Sequence, residues 1–298
     1  MNLEAVFPPI PTPFAGDDID AAAIRANVGR LMETGLGGIV ALGSNGEAPL
    51  LDETESDRVI AAAREATPSE RTLIAGTGRE STQATIAASK RAAALGADAV
   101  LVRTPSYYKG RMTPDAFVAH YSAVADRSPV PVLIYNYPAV TGVNIVAAAV
   151  GRLSRHANIV GIKETGSDTA QVADFVAASA GSFTVIAGSA PTFYSSLCVG
   201  ARGAILAVAC VLPDLCVALL EHYRAGRHRE ARELQRRLTP LAKLVTTVHG
   251  VPGLKAALDL VGFTGGLPRP PLAPCSREGV EEIRRELAAV QSFAAAGR

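Results

Sequence analysis

The feature of this sequence that most constrains its fold is a regular alternation of short apolar runs with amphipathic segments. Each apolar run is about five residues long and is followed by a segment whose apolar residues recur at helical spacing. The runs are nearly continuous, which is typical of parallel strands that are buried on both faces. Eight such units in series favour a closed (β/α)8 TIM barrel over an open doubly wound sheet.

The expected elements can be placed by residue number. We predict strands at residues 6–10, 38–42, 72–75, 98–102, 130–135, 159–163, 183–187 and 203–207. We predict helices at residues 20–34, 52–66, 81–95, 113–125, 145–153, 168–178, 192–199 and 214–223. Several of these helices begin with a capping-type residue such as Asp168.

The chain beyond residue 224 lacks the strand pattern. Helical spacing returns at residues 227–248, 253–261 and 276–293, and a proline-rich stretch at 267–274 separates the last two segments. No linker-like or low-complexity stretch precedes them. We therefore divide the chain into a barrel, residues 1–224, and a C-terminal helical extension, residues 225–298.

Charge and composition exclude several classes of function. Lys+Arg 29 against Asp+Glu 28 gives no bulk field that would attract nucleic acid or an anionic membrane. Apolar runs stay below the ~20 residues that a membrane span needs. The four cysteines and five histidines show no metal-ligand spacing, so we expect reduced cysteines and no metal. Because the first strand begins at Val6, we expect no transit peptide and a cytoplasmic protein.

Polar residues follow three of the predicted strands at their carboxyl ends, where the loops of such barrels converge. They are the turn Gly43-Ser44-Asn45-Gly46-Glu47 after the second strand, Tyr135-Asn136-Tyr137-Pro138 after the fifth and Lys163 at the end of the sixth. The fifth and sixth strands are consecutive and therefore neighbours. We expect Tyr135 and Lys163 to approach each other over the barrel mouth.

These residue types suit carbonyl chemistry. An ammonium in an apolar barrel loses hydration, which favours a neutral amine that can attack a carbonyl carbon. The protonated Schiff base withdraws electrons from the adjacent carbon, so that a carbon–carbon bond can break or form there. A phenol such as Tyr135 can transfer the proton, and Ser44 can hydrogen-bond to it. The backbone N–H groups of the glycine-rich turn can hold a substrate carboxylate.

With these motifs the whole sequence resembles the pyruvate-dependent class I aldolase superfamily of dihydrodipicolinate synthase and N-acetylneuraminate lyase. The resemblance rests on residues 43–47, 135–138 and 161–165 in combination. It implies a Schiff base on Lys163 and proton transfer by Tyr135. It also implies a proton relay through Ser44 and binding of the pyruvate carboxylate by the Ser44 and Asn45 amides. No metal or organic cofactor is implied, since the iminium is the electron sink.

The resemblance also implies further contacts. Thr165, Gly188 and Ile205 match positions that bind substrate. Tyr107 matches a second relay tyrosine that reaches in from a neighbouring subunit. That match implies a homotetramer built as a dimer of dimers, in which each site is completed across an interface. The expected partner is a small keto acid that contains a pyruvate moiety.

Departures from the superfamily pattern guide the choice of substrate. Dihydrodipicolinate synthases carry an arginine for the aldehyde substrate's carboxylate where this chain has Val140, which argues against that condensation. Neuraminate lyases carry acidic residues after the seventh strand, whereas Ser189, Ala190 and Pro191 follow Gly188 here. A nine-carbon polyol substrate is therefore disfavoured.

A more specific resemblance is to 4-hydroxy-2-oxoglutarate aldolases, which cleave that acid to pyruvate and glyoxylate. It is carried by residues 43–47, 107–112, 158–161, 187–190 and 250–255, the last of which lie outside the predicted barrel. Aldolases of 2-keto-3-deoxy sugar acids share the same kind of glycine-rich turn and stay an alternative, as does synthase-type condensation. A catalytically silent barrel that only binds a keto acid is the alternative from another class.

Overall fold

The computed structural model describes residues 2–296 and contains one parallel sheet of eight strands that is wrapped by helices. The strands are β1 (Val6–Phe7), β2 (Gly38–Ala41), β3 (Thr72–Gly76), β4 (Ala99–Arg103), β5 (Val132–Asn136), β6 (Ile159–Glu164), β7 (Thr184–Ala187) and β8 (Gly203–Ile205). Neighbours in the sheet follow chain order from β2 to β8, and β1 pairs with β8.

The barrel closes between β1 and β2. The Val40 amide donates to the Pro8 carbonyl and the Ile10 amide donates to the Val40 carbonyl, each at 2.9 Å. At the other end of this seam the Gly37 amide donates to the Val6 carbonyl at 3.1 Å. Every strand is therefore hydrogen-bonded on both sides, and the predicted barrel is confirmed.

Eight helices alternate with the strands as predicted. They are α1 (Ala21–Met32), α2 (Glu53–Ala66), α3 (Thr82–Ala94), α4 (Pro114–Ala125), α5 (Ala147–Leu153), α6 (Thr169–Ala178), α7 (Phe193–Cys198) and α8 (Pro213–Arg224). Five of them begin at a side-chain N-cap that accepts a backbone N–H of the first turn: Asp20, Asp52, Ser81, Thr113 and Asp168. These caps satisfy donors that have no partner inside the helix, which fixes where each helix starts.

Apolar side chains form two layers. Inward-facing strand residues such as Leu133, Ile186 and Ile205 fill the barrel, and Tyr135 belongs to this inner cluster. A larger layer lies between the strands and the helices. Since neighbouring strand residues point to opposite faces, the near-continuous apolar runs supply both layers.

The structure differs from the predictions in local details. Strand β1 ends at Phe7 rather than at residue 10, because the prolines that follow have no N–H to donate to a strand. Beyond it, Pro9 makes only an isolated bridge with Val40. A small antiparallel hairpin joins Phe14–Ala15 to Asp18–Ile19 and was not predicted. Two-residue strands are too short to show any periodicity.

The C-terminal residues form three long helices. Helix α9 (His228–Lys243) continues as a π-helix, Leu244–Val248, so the predicted helix at 227–248 changes its hydrogen bonding before its end. Helix α10 (Gly250–Leu260) begins three residues before the predicted start at 253, and α11 (Arg277–Ala296) follows the proline-rich stretch.

The C-terminal helices are packed onto the barrel layer. Leu234, Leu238 and Leu241 of α9 are buried in the same apolar cluster as the residues between strands and helices. This apolar cluster is continuous across residue 224. The division of the chain at that residue therefore stays a prediction. None of the helices in residues 2–296 combines the length and the apolar character that a membrane crossing requires.

Candidate active site

Lys163 lies on β6 at the carboxyl end of the barrel, and its side chain points inward. In the sheet it stands opposite Tyr135 of β5 on one side and Ile186 of β7 on the other. Its ammonium nitrogen, Nζ, lies 4.2 Å from the centre of the Tyr135 ring. The sequence prediction that Tyr135 and Lys163 meet over the barrel mouth therefore agrees with the structure.

The surroundings of Lys163 favour the neutral amine. The residue is only 4% exposed, and its Nζ forms no ion pair with any carboxylate in residues 2–296. Burial lowers the pKa of Lys163 to about 7, and Cys210 opposes this effect without reversing it. A buried amine without an anionic partner loses the solvation that stabilises its charged form. Near neutral pH a large fraction of Lys163 is therefore uncharged and chemically able to attack a carbonyl.

The Tyr135 hydroxyl is hydrogen-bonded to the Ser44 hydroxyl at 3.1 Å, and either group can donate. Burial raises the pKa of Tyr135, while the hydrogen bond from Ser44 acts in the opposite direction. Tyr135 is consequently a protonated phenol at neutral pH. It can accept a proton only while it passes its own proton to a neighbour, and Ser44 is placed to receive it.

The turn after β2 offers free backbone donors beside this tyrosine. The amides of Gly46 and Glu47 bond to the carbonyls of Gly43 and Ser44, at 3.0 and 3.2 Å. Within residues 2–296 the amides of Ser44 and Asn45 have no acceptor. Two adjacent unpaired N–H groups form a site for an anion that needs no cationic side chain.

Residues in left-handed backbone conformations bracket this turn. Leu42 and Glu47 both have a φ of 56° although neither is a glycine. The left-handed conformation costs an L-residue roughly 1–2 kcal/mol. Such strain persists only where surrounding contacts impose it, and it is concentrated at functional sites. The structure around the turn must therefore hold it in place.

Thr165, Gly188 and Ile205 also lie at the carboxyl ends of their strands. The Thr165 hydroxyl oxygen is buried and makes no hydrogen bond of good geometry among the described residues, although it lies near the Tyr135 hydroxyl and opposes the rise in the pKa of that phenol. A side chain at Gly188 would collide with this oxygen, so glycine is required there. Ile205 belongs to the inner cluster that contains Tyr135. An unpaired buried hydroxyl in a site is a candidate ligand for a polar substrate.

Tyr107 lies apart from these residues in the isolated chain. Its side chain is 78% exposed on the loop after β4, and its ring packs edge-on against Tyr108. The Glu80 carboxylate accepts the Ser106 and Tyr107 amides, each at 2.9 Å, which fixes the loop backbone. The structure therefore presents Tyr107 at the surface and does not bring it to Ser44 of the same chain.

A cleft of about 350 Å³ is lined by Ser44 and Tyr135 but not by Lys163, and sequence reasoning did not anticipate it. Arg79 and Arg103 line it, but each already has a carboxylate partner: Glu53 at 2.9 Å and Glu80 at 2.6 Å. Their charges are thus largely compensated within the protein.

The turn after β5, a single helical turn at Pro138–Thr141, contains the position where the synthases carry an arginine. Val140 occupies that position and is 64% exposed. The turn ends at Gly142 in a left-handed conformation, and a Cβ there would lie 2.9 Å from Nζ of Lys109. The amine of Lys109 therefore lies next to this turn. The sequence does not predict this contact, because Lys109 and Gly142 are more than 30 residues apart in the chain.

One contact of the turn after β2 was missed from the sequence. Nζ of Lys255 on α10 lies 2.6 Å from Oε1 of Glu47, and both side chains are fully buried. The residues 250–255 and 43–47 were each noted as motifs, but nothing in their spacing pairs them. Only the packing of the C-terminal helices against the barrel brings them together.

Comparison with protein families and curated proteins places relatives along almost the whole chain. Residues 2–290 match the model of the dihydrodipicolinate synthetase family. The chain is 39% identical over 268 residues to the probable mitochondrial 4-hydroxy-2-oxoglutarate aldolase of Emericella nidulans, covering 88% of this chain and 86% of the relative. It is 34% identical over 291 residues to the 4-hydroxy-tetrahydrodipicolinate synthase of Methanopyrus kandleri, covering 96% of each.

Solved structures of synthases are also similar to this chain along almost its whole length. The 4-hydroxy-tetrahydrodipicolinate synthase of Methylacidiphilum fumariolicum has a TM-score of 0.94 at 31% identity, covering 99% of this chain and 98% of that one. The dihydrodipicolinate synthase of Thermotoga maritima has a TM-score of 0.92 at 32% identity, covering 96% and 98%. The relatives differ in the reactions that their names state, so similarity alone does not select the substrate.

Proposed function

Because the chain belongs to the dihydrodipicolinate synthetase family and is a carbon–carbon lyase of class I, we propose that it cleaves 4-hydroxy-2-oxoglutarate to pyruvate and glyoxylate. The observation that carries the proposal is the buried Lys163 amine, which has no carboxylate partner and lies against the Tyr135 ring. The similarity to the probable aldolase of Emericella nidulans supports this choice of substrate.

In the first step the neutral Lys163 amine attacks the C2 ketone of the substrate. Loss of water gives a protonated imine, which draws electrons from C3. The free amides of Ser44 and Asn45 bind the adjacent carboxylate, and this orients C2 toward Nζ. The Thr165 hydroxyl and the space left by Gly188 accommodate the rest of the chain, above Ile205.

In the second step the C3–C4 bond breaks. Tyr135 accepts the proton of the C4 hydroxyl while its own proton moves to Ser44 along their 3.1 Å hydrogen bond, and Ser44 passes its hydroxyl proton on to Tyr107 of a neighbouring subunit. The C4 oxygen then forms the aldehyde of glyoxylate, and the bonding electrons pass to C3 to give an enamine on Lys163. Protonation of C3 and hydrolysis of the imine release pyruvate and regenerate the amine.

Tyr107 completes the relay from a neighbouring subunit in this proposal, within a homotetramer built as a dimer of dimers. Its exposed ring on a loop held by Glu80 supports such a role. The Tyr107→Phe variant should lose about 10-fold to 100-fold in kcat while keeping its KM. An unchanged kcat in a verified oligomer would contradict the cross-subunit relay.

The second carboxylate of 4-hydroxy-2-oxoglutarate calls for a second anion-binding group, which a sugar acid does not require. Val140 cannot supply it, and Arg79 and Arg103 are already paired. We assign this contact to Lys109, whose amine stands over the turn that contains Val140. Lysine binds a carboxylate as a point charge at an exposed site, so the contact contributes modestly to affinity.

The proposal is tested by a substrate comparison with a coupled assay for released pyruvate. 4-Hydroxy-2-oxoglutarate should give a kcat/KM at least about 10-fold above that of 2-keto-3-deoxy sugar acids. Lys109→Met should raise the KM for 4-hydroxy-2-oxoglutarate and leave the KM for the sugar acids unchanged. Preference for a sugar acid, or faster condensation of pyruvate with aspartate semialdehyde, would replace the proposed substrate.

A further inference from the structure

The buried ion pair between Glu47 and Lys255 has no part in the mechanism described above. Both side chains are excluded from solvent, and Nζ of Lys255 lies 2.6 Å from the Glu47 carboxylate. Glu47 is the last residue of the turn whose amides bind the substrate carboxylate in the proposed mechanism. Lys255 belongs to α10, outside the barrel. The pair therefore joins the C-terminal helices to the substrate-binding turn.

The C-terminal segment holds the Glu47 carboxylate at two points. Besides the ion pair with Lys255 on one oxygen, the Arg269 backbone N–H donates to the other oxygen at 2.8 Å. Lys255 in turn donates to the Leu267 carbonyl at 2.8 Å. A helix residue and a loop residue thus fix the direction of one carboxylate.

Aromatic and ionic contacts fix the two cations as well. Lys255 and Arg269 both lie 4.4 Å from the centre of the Phe14 ring. The Arg269 guanidinium also binds the Glu55 carboxylate at 2.7 Å. Lys255 and Arg269 are therefore each held in place by groups other than Glu47. Because their positions do not depend on Glu47, they can restrain the turn that contains it.

The turn needs such supports because its backbone is strained. Glu47 adopts a left-handed conformation, which an unsupported L-residue rarely keeps. The Thr12 hydroxyl also holds the turn, since it donates to the Gly46 carbonyl at 2.7 Å. A buried ion pair contributes little net stability compared with an apolar pair of similar shape, and its best-attested use is to fix geometry.

We propose that Lys255 and Glu47 are positioning residues, through which the C-terminal helices set the geometry of the carboxylate-binding turn and so the affinity for pyruvate. The affinity part of this inference rests on the proposed function. The geometric part does not, because it concerns the Ser44 and Asn45 amides in the ligand-free protein. These amides are presented to the site only while Glu47 stays in place.

Three variants separate positioning from stability. Lys255→Met keeps the length of the side chain but leaves the Glu47 carboxylate without its cation. Glu47→Gln keeps an acceptor for the Arg269 N–H but removes the charge. The double variant carries neither charge and should therefore recover an unfolding midpoint near that of the wild type. Glu282→Gln, which removes the negative charge of α11 that faces His249 at the start of α10, is the control within the same extension.

Two readouts are measured on the full-length protein. Hydrogen–deuterium exchange of the peptide that contains residues 43–50 should be faster in Lys255→Met and in the double variant than in the wild type and in Glu282→Gln. The pyruvate concentration that half-saturates borohydride trapping should rise about 10-fold or more in both. The pH dependence that Lys163 sets should not move in either variant.

Each outcome decides the inference. The inference would be overturned if folded Lys255→Met exchanged residues 43–50 as slowly as the wild type and was half-saturated at the same pyruvate concentration. A double variant that regains both stability and affinity would also overturn it, since the pair would then be structural only. If the wild type itself traps no pyruvate, the proposed function fails, and the exchange of residues 43–50 alone decides whether the pair holds the turn.

Discussion

Two fully enclosed lysines, one at the barrel mouth and one in the C-terminal extension, have opposite surroundings. Lys163 is 4% exposed and has no carboxylate within ion-pair distance among the described residues, whereas Lys255 is 0% exposed and pairs with Glu47 at 2.6 Å. Burial lowers the pKa of both amines, but at Lys255 the Glu47 carboxylate opposes this effect. A partner of opposite charge therefore distinguishes Lys255 from Lys163, which we propose to be the reactive amine.

The comparison shows why burial alone is a poor sign of catalysis. Both nitrogens lie over an aromatic ring at nearly the same distance, 4.2 Å at Tyr135 and 4.4 Å at Phe14. Tyr135 adds a hydroxyl that is linked to Ser44, while Phe14 has none. The region that we propose to be reactive thus combines an amine without a countercharge with a hydroxyl that can carry a proton, and the region around Lys255 lacks both.

Replacing each lysine separately gives the largest expected difference between the two regions. Lys163→Ala should lower kcat/KM by on the order of 10⁴-fold or more, because the nucleophile is lost. Lys255→Met should retain the nucleophile, form an adduct on Lys163 and show its defect mainly in KM. Steady-state kinetics of both variants, checked for folding by circular dichroism, tests this. Equal losses of kcat in Lys163→Ala and Lys255→Met would contradict the proposal that the two lysines have different roles.

Tyr135→Phe tests the role of the proton carrier. This variant keeps an aromatic ring beside Lys163 but removes its hydroxyl. Lys163 would then lie against a phenylalanine ring, as Lys255 does. We expect kcat for cleavage to fall by about 10²–10⁴-fold, since the C4 proton has no acceptor. Trapping of pyruvate on Lys163 at saturating pyruvate should persist. Cleavage at the wild-type rate would show that another group accepts the proton.

Adding a carboxylate beside Lys163 should make it resemble Lys255. The Cys210 thiol is near enough to affect the pKa of Lys163, so Cys210→Asp places an anion there. The wild-type kcat/KM should rise with pH through about 7, because only the neutral amine attacks. In Cys210→Asp the pH at which kcat/KM rises should be higher by about one pH unit or more. Cys210→Asn is the uncharged control, and equal shifts in both variants would contradict the electrostatic explanation.

Much of this molecule could be predicted from its sequence because the signal is local. The apolar runs and caps define eight strands and eight helices, and consecutive parallel strands must be neighbours, which brings Tyr135 to Lys163. The end of β1 was misplaced because prolines are compatible with an extended chain but cannot donate to a ladder. The split in the helix predicted at 227–248 comes from a change in hydrogen bonding that periodicity does not show.

The supports of the site could not be predicted, because they depend on contacts between distant parts of the chain. Lys255 reaches Glu47 across more than 200 residues, and Lys109 meets Gly142 only after the barrel has formed. The exposure of Tyr107 is likewise a property of the folded surface. The roles of the site residues, the division at residue 224 and the tetramer stay predictions.

The most direct test of this account is borohydride reduction of the wild-type protein with pyruvate, followed by peptide mass spectrometry. The account predicts a pyruvate-derived adduct on Lys163 and none on Lys255, with a yield that rises through pH 7 as the Lys163 amine loses its proton. A folded protein that forms no adduct, or that carries it on another lysine, would contradict the claim that an unpaired buried amine is the nucleophile.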